Sequence, residues 1–162
     1  MEENKLKVNV LFICLGNICR SPMAEAVFRD LVEREGLADK ISCDSAGTGG
    51  WHIGNPPHQG TRDILKVNKI SDAGIFARQL NNKDLEDYDY LIAMDNSNIA
   101  NIKKLNQLLD GTKVKLLMDY TEQSIGKEVP DPYYTGNFEE VFELVKDGCE
   151  GLLKDIKEKY LL

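Results

Sequence analysis

An apolar run from Lys7 to Ile13, rich in β-branched residues, stops at Cys14, and a helix signal begins at Ser21. A one-faced strand would alternate polar and apolar positions. A near-continuous run reads instead as a central parallel strand covered on both faces. Ser21 followed by Pro22 offers an N-cap and a first-turn proline, and Met23, Ala26, Val27 and Leu31 repeat at helical spacing as far as Gly36. The chain therefore opens as strand, loop, helix. A parallel strand also needs partners that only further crossover connections supply.

The remaining sequence provides them. Ile41–Ala46 is a second strand, followed by a loop through Gly47, Thr48, Gly49 and Gly50, and Asn55, Pro56 and Pro57 lead into a helix over His58–Val67. Tyr90–Met94 and Val114–Leu117 are two more apolar runs, separated by Asn96–Leu109 with helical spacing of Ile99, Ile102, Leu105 and Leu109. A closing helix carries Phe138, Val141, Phe142, Val145, Cys149, Leu152, Leu153 and Ile156 on one face, with Glu139, Glu140, Lys146, Asp147 and Lys154 opposite. This alternation predicts an α/β fold: a doubly wound, flavodoxin-like, four-stranded parallel sheet with helices on both faces. No repeat or linker divides residues 1–162, so a single domain is expected. Sheets of this kind bind ligands beyond the carboxyl ends of their strands. The loops Cys14–Ser21, Ala46–Pro56 and Asp95–Asn98 should open together there, with Tyr120–Gly136 folding over them.

A net charge of -7 speaks against nucleic acid or an anionic membrane surface as a partner, because both attract basic stripes. Met1–Lys7 is charged, and Val8–Cys14, interrupted by Asn9, is too short for a secretory or membrane-spanning segment. A cytoplasmic location is the expectation. The four cysteines lack zinc-type spacing and disulfide-scaffold density, so reduced thiols are expected, with Cys43 and Cys149 as small buried hydrophobes.

The loop reads Cys14, Leu15, Gly16, Asn17, Ile18, Cys19, Arg20, Ser21. Cysteine and arginine six positions apart mean little alone, but here they span a strand end and a helix start, with Gly16 and Asn17 where a positive φ is tolerated. Successive N–H groups of such a loop can surround one tetrahedral anion, and the positive end of the helix favours its charge. The same field stabilises a thiolate, so Cys14 is expected to ionise more readily than a free thiol and to act as a nucleophile. The planar fork of Arg20 can hold two phosphate oxygens. Ser21 is read as N-cap, as donor to the Cys14 sulfur, or as both.

The strand VNVLFI, the loop CLGNICRSP and the continuation MAEAVFRDL resemble the low-molecular-weight protein-tyrosine phosphatases. So do DSAGT at Asp44–Thr48, IGNPPH at Ile53–His58, ARQL at Ala77–Leu80, AMDNSN at Ala93–Asn98 and DPYY at Asp131–Tyr134. The resemblance implies Cys14 as nucleophile, Arg20 as phosphate clamp, and Asp131 as general acid and then base. It also implies Asn17 and Ser45 as loop braces. A phenolate with pKa near 10 leaves poorly at neutral pH unless protonated, which is why an acid such as Asp131, between Pro130 and Pro132, is needed.

Leu15, Gly16, Asn17, Ile18, Cys19 and Ser21 are the expected phosphate-binding positions, with no metal and no cofactor. Trp51, Tyr133 and Tyr134 are read as apolar walls that admit a phenyl ring, or as simple loop packing. Cys19 is either a buried loop residue or a partner that traps oxidised Cys14 as a disulfide. His52 and His58 read as loop and helix-start residues. Substrates would be phosphotyrosine proteins or aryl phosphates, with inorganic phosphate as product and the enzyme a monomer.

Other readings are an arsenate reductase, a phosphoarginine phosphatase and a non-catalytic phosphate-binding redox sensor. The first would need resolving cysteines, and none lies between Cys43 and Cys149. The second group carries threonine where this loop has Ile18, and the third would not need Asp131. The chain departs from the family pattern near Ile75 and Phe76, where histidine is common, and Gly47 and Gly49 are expected to loosen the second loop.

Overall fold

The computed structural model describes residues 7–162, so the charged start of the chain, apart from Lys7, lies outside the described residues. The elements run β1 (Val8–Cys14), α1 (Arg20–Arg34), β2 (Ile41–Gly47), α2 (Gln59–Val67), α3 (Asn82–Asp87), β3 (Tyr90–Ala93), α4 (Asn96–Leu105), β4 (Val114–Leu116), α5 (Pro132–Thr135) and α6 (Phe138–Tyr160). All strand pairs are parallel, in the order β2-β1-β3-β4. The four-stranded doubly wound sheet expected from the sequence is the sheet observed.

Residues of β1 alternate between two cores, which explains why all of the run but Asn9 is apolar. Val8, Val10, Phe12 and Cys14 face α1 and α6 with Met23, Val27, Phe28, Val145, Cys149 and Ile156. Leu11 and Ile13 face the other layer with Leu85 of α3 and Ile102 of α4. Cys149 is fully buried, and the apolar face read for α6 is the buried one, with Phe138 partly covered at its start. Cys43 is only half-buried, its thiol directed to the Glu25 carbonyl oxygen at 3.6 Å.

Several boundaries differ from expectation for local reasons. α4 stops at Leu105 because Asn106 turns extended, and Leu109 packs on the core from the turn beyond. β4 ends at Leu116, where a tight 3-10 turn over Leu117–Tyr120 begins. α3 is short and lacks a long apolar period; a reciprocal capping box between Asn81 and Asp84 fixes its start.

The chain leaves β1 toward β2 on one side and returns to β3 and β4 on the other. The carboxyl end of β1 is therefore the switch point of the sheet, where such folds open a crevice. Behind it, α6 presses on the 3-10 turn so closely that a Cβ on Gly151 would stand 1.8 Å from the Tyr120 carbonyl oxygen. Backbone cannot rotate aside as a side chain can, so Gly151→Ala should lower unfolding stability by about 2 kcal/mol or more, read as an earlier urea midpoint. An unchanged midpoint would refute this packing.

Candidate active site

Cys14 is the last residue of β1, and the chain curls through residues 15–19 before α1 starts at Arg20. Four carbonyls of this turn are tied down. Those of Cys14 and Leu15 accept from the N–H groups of Thr48 and Gly49, both at 2.9 Å, and that of Ile18 accepts from His58 N–H at 2.7 Å. The carbonyl of Cys19 accepts from the Thr61 hydroxyl at 3.1 Å. Among the described residues, by contrast, no protein acceptor faces the N–H groups of Leu15, Gly16, Asn17, Ile18 and Cys19. With carbonyls bound outward and amides left open at the head of a 15-residue helix, the turn suits an anion.

Asn17 holds this shape. Its backbone is left-handed, with φ of 56°, and its side chain fills every bond it can make toward the scaffold. The amide nitrogen donates to Ser21 Oγ at 2.7 Å and to Ser45 Oγ at 3.0 Å, while the amide oxygen accepts from Arg78 N–H at 2.9 Å. Ser21 does not cap α1: the cap position falls to Cys19, without a side-chain bond, because the helix starts two residues earlier. The Ser21 hydroxyl instead lies 3.0 Å from Cys14 Sγ.

Gly47 does not loosen the second loop either. It is bonded on both sides, to the Arg78 carbonyl at 2.9 Å and from Leu80 N–H at 2.7 Å, and a Cβ there would stand 2.9 Å from the Leu15 carbonyl oxygen. The glycine lets β2 approach the turn from below. Gly49 is close to the Trp51 ring rather than to backbone.

Arg20 is 2% exposed. One terminal nitrogen donates to Asp95 Oδ2 at 2.6 Å and to the Val129 carbonyl at 2.9 Å, and the other approaches Asp131 Oδ2 at 3.4 Å. Its Nε has no partner among the described residues. Burial alone would disfavour the cation, but Cys14, Asp95 and Asp131 outweigh it and hold the guanidinium charged. A buried N–H of this kind without an acceptor is costly unless a ligand supplies one.

Asp131 caps the short α5 by accepting from Tyr133 N–H at 3.1 Å, with Pro132 at the first helical position. The preceding Val129 is anchored to Met94 at 2.9 Å, so residues 129–131 lie across the carboxyl ends of the strands. A cavity of about 330 Å³ results, lined by Cys14, Leu15, Gly16, Ile18, Cys19 and Asp131 at its polar side. Trp51, Tyr133 and Tyr134 complete it with His52. The two tyrosine rings meet edge to face at 5.3 Å, and Trp51 is 71% exposed. His58 caps α2 through Nδ1, which accepts from Gly60 N–H at 3.0 Å, and stacks on Phe138 at 5.1 Å.

Cys19 is buried, and burial first, with Cys14 and Asp131 adding, pushes its thiol up to about 12. Both Cys14 and Cys19 are free thiols. Three residues of the site escaped the sequence reading. Asp95 looks like an ordinary helix cap, and it is one, but its second oxygen serves Arg20. Arg78 and Glu25 carry signals only in three dimensions. Arg78 is held by Asp44 at 3.1 Å and Asp84 at 2.9 Å behind Asn17, and Glu25 accepts from the Ser45 hydroxyl at 2.6 Å.

A nucleophile, an anion cradle and a carboxyl group converging on one cavity suit hydrolysis of phosphoric monoesters by a cysteine-dependent enzyme. Comparison with known proteins makes the assignment specific. The family model described as low molecular weight phosphotyrosine protein phosphatase matches residues 9–161, and the chain belongs to that family. It is 58% identical over 155 residues to the low molecular weight protein-tyrosine-phosphatase YfkJ of Bacillus subtilis, covering 95% of this chain and 99% of the relative. The crystal structure of YfkJ superposes with a TM-score of 0.92 at 56% identity, over 94% of this chain and 96% of that one. PtpA of Staphylococcus epidermidis, a low molecular weight protein-tyrosine-phosphatase, is 48% identical over 90% of this chain and 92% of its own. A Drosophila arginine phosphatase shares the fold with a TM-score of 0.82 at 32% identity, over 91% of this chain and 97% of that one.

The bracing role of Asn17 is open to test. Asn17→Ala removes three bonds and leaves a Cβ-bearing residue at positive φ, so stability should fall by about 3 kcal/mol, while Asn17→Gly should recover about 1 kcal/mol of that by relieving the backbone. Equal midpoints for the two variants in urea would contradict the backbone part.

Proposed function

We propose that this chain hydrolyses phosphotyrosine in proteins, and simple aryl phosphates, through a phosphocysteine intermediate on Cys14. The observation that carries the reading is the buried Arg20 Nε without an acceptor, beside a turn whose amides are likewise open. One phosphoryl group with three oxygens would satisfy both. The guanidinium presents Nε and its Asp131-side nitrogen to that group, since the third nitrogen is occupied by Asp95 and Val129.

In the first step the Cys14 sulfur attacks phosphorus, the P–O bond to the aryl group breaks, and Asp131 gives its proton to the departing oxygen. In the second, water attacks the phosphocysteine with Asp131 taking its proton, and the sulfur leaves as a thiolate that accepts a bond from the Ser21 hydroxyl. Inorganic phosphate is released. Leu15, Gly16, Asn17, Ile18 and Cys19 donate their amides to the phosphoryl oxygens, which is worth most as charge spreads in the transition state.

Trp51, Tyr133 and Tyr134 grip the phenyl ring at a depth that a phosphoserine side chain does not reach. Four free thiols suit a reducing cytoplasm, and the enzyme acts as a monomer. Peroxide would oxidise Cys14 first, with Cys19 able to capture the sulfenic acid as a disulfide. Ile18 favours phosphotyrosine over phosphoarginine.

The test is turnover of p-nitrophenyl phosphate and phenyl phosphate by the wild type, Cys14→Ser and Asp131→Ala. Cys14→Ser should be inactive. Asp131→Ala should lose about 10²- to 10⁴-fold on phenyl phosphate and less on p-nitrophenyl phosphate, whose leaving group needs little protonation. Full activity of the serine variant would reject the mechanism. Faster hydrolysis of a phosphoarginine peptide than of a matched phosphotyrosine peptide would reject the substrate.

A further inference from the structure

Glu25 lies in the first half of α1 and is 7% exposed, an unusual place for a carboxyl group. With Glu25 charged and Cys14 a thiolate, both acceptors only, the bonds between them run in one direction. The two protons of the Asn17 amide go to Ser21 Oγ and Ser45 Oγ, since the amide oxygen is taken by Arg78 N–H. Ser45 Oγ already accepts, so its own proton turns to Glu25 Oε1 at 2.6 Å. Ser21 Oγ also accepts, which leaves its proton available to a Cys14 thiolate, with Sγ 3.0 Å away.

We propose that Glu25 is a positioning residue: its carboxylate, acting through Ser45 and Asn17, keeps the Ser21 hydroxyl aimed as a donor at the Cys14 sulfur. The proposal rests on the reading of Cys14 as nucleophile. A charged acceptor holds the Ser45 proton in one direction, whereas a neutral carboxylic acid can give its own proton to Ser45 Oγ. Ser45 is then released from its role as donor, and its hydroxyl, free to turn, holds the Asn17 amide less firmly in one direction. The control is thus by protonation.

The groups facing Glu25 are Asp44, Cys43 and Ser45 of β2, Arg29 one turn along α1, and Arg78 from the segment before α3. Burial pushes its carboxyl up to about 7 and Asp44 adds to this, against the Ser45 bond, Arg29 and Arg78. Glu25 therefore changes charge near neutral pH. Because the folded state holds this proton more tightly than the unfolded chain does, with its ordinary value of 4.5, the stabilisation from protonated Glu25 is complete at low pH. It is lost as pH rises from about 4.5 to about 7.

Two measurements separate positioning from mere structure: kcat on p-nitrophenyl phosphate and the melting temperature, each from pH 5 to 9, for the wild type, Glu25→Gln and Ser45→Ala. The wild type should show a rise in kcat of about fivefold centred near pH 7, the increment expected of charge assistance to one hydrogen bond. Glu25→Gln should lack that step while melting at or above the wild-type temperature at pH 8, so that lower activity accompanies higher stability. Ser45→Ala, which leaves Glu25 in place but cuts its connection, should lack the step as well. A kcat profile that keeps the step in either variant overturns the proposal. If Glu25→Gln does not fold, Ser45→Ala decides by the same criterion. A wild type with no turnover at any pH overturns the phosphatase reading itself, before any variant is compared.

Discussion

The carboxyl edge of the sheet depends on a single side-chain amide, that of Asn17. A turn with open N–H groups and a left-handed residue is a strained object, and nothing in its own sequence would keep it from collapsing onto its carbonyls. The amide of Asn17 ties it at once to α1 through Ser21, to β2 through Ser45, and to the strap before α3 through Arg78. Gly47 lets β2 come near enough for this, and Arg78 is in turn gripped by Asp44 and Asp84. The rigid scaffold thus stabilises an arrangement of donors that faces no protein acceptor among the described residues.

Electrostatics organise the rest. A buried guanidinium is stable only when matched, and Asp95 with the Val129 carbonyl matches one nitrogen while fixing the direction of the fork. That leaves the Nε edge in a defined orientation. The bond to Val129 also draws the segment carrying Asp131 against the strand ends, so one arginine both offers an open Nε edge and locates the nearby carboxyl group. Around this polar base the walls are aromatic and partly exposed, a division between fixed charge chemistry and adaptable contact with a ring.

The fold was legible because burial on both faces writes itself into β1, broken only by Asn9, and β3 as apolar runs, and burial on one face writes a helical period into α6. The loop was legible because asparagine tolerates the left-handed backbone it takes at Asn17, whereas Gly16, read as a second such position, does not take a positive φ. What was not legible depends on distance in sequence. Ser21 reads as a cap and instead faces Cys14, because the helix begins two residues earlier than the Ser-Pro pair suggests. Gly47 reads as a flexible position and is a steric requirement set by Leu15. Asp95 hides a second role behind a real capping role. Glu25 sits between Ala24 and Ala26 in what looks like an ordinary amphipathic helix, yet the first half of α1 is enclosed on all sides and the carboxyl group has nowhere to go but Ser45.

The central claim is that the Cys14 sulfur takes up the phosphoryl group. The direct measurement is rapid acid quench of the wild type during turnover of p-nitrophenyl phosphate, followed by mass analysis of the intact chain and its peptides. The account predicts a transient adduct of one phosphoryl group on the peptide containing Cys14, formed as nitrophenolate is released and decaying as phosphate appears. Turnover at the normal rate with no such adduct, or with the phosphoryl group on another residue, would contradict it.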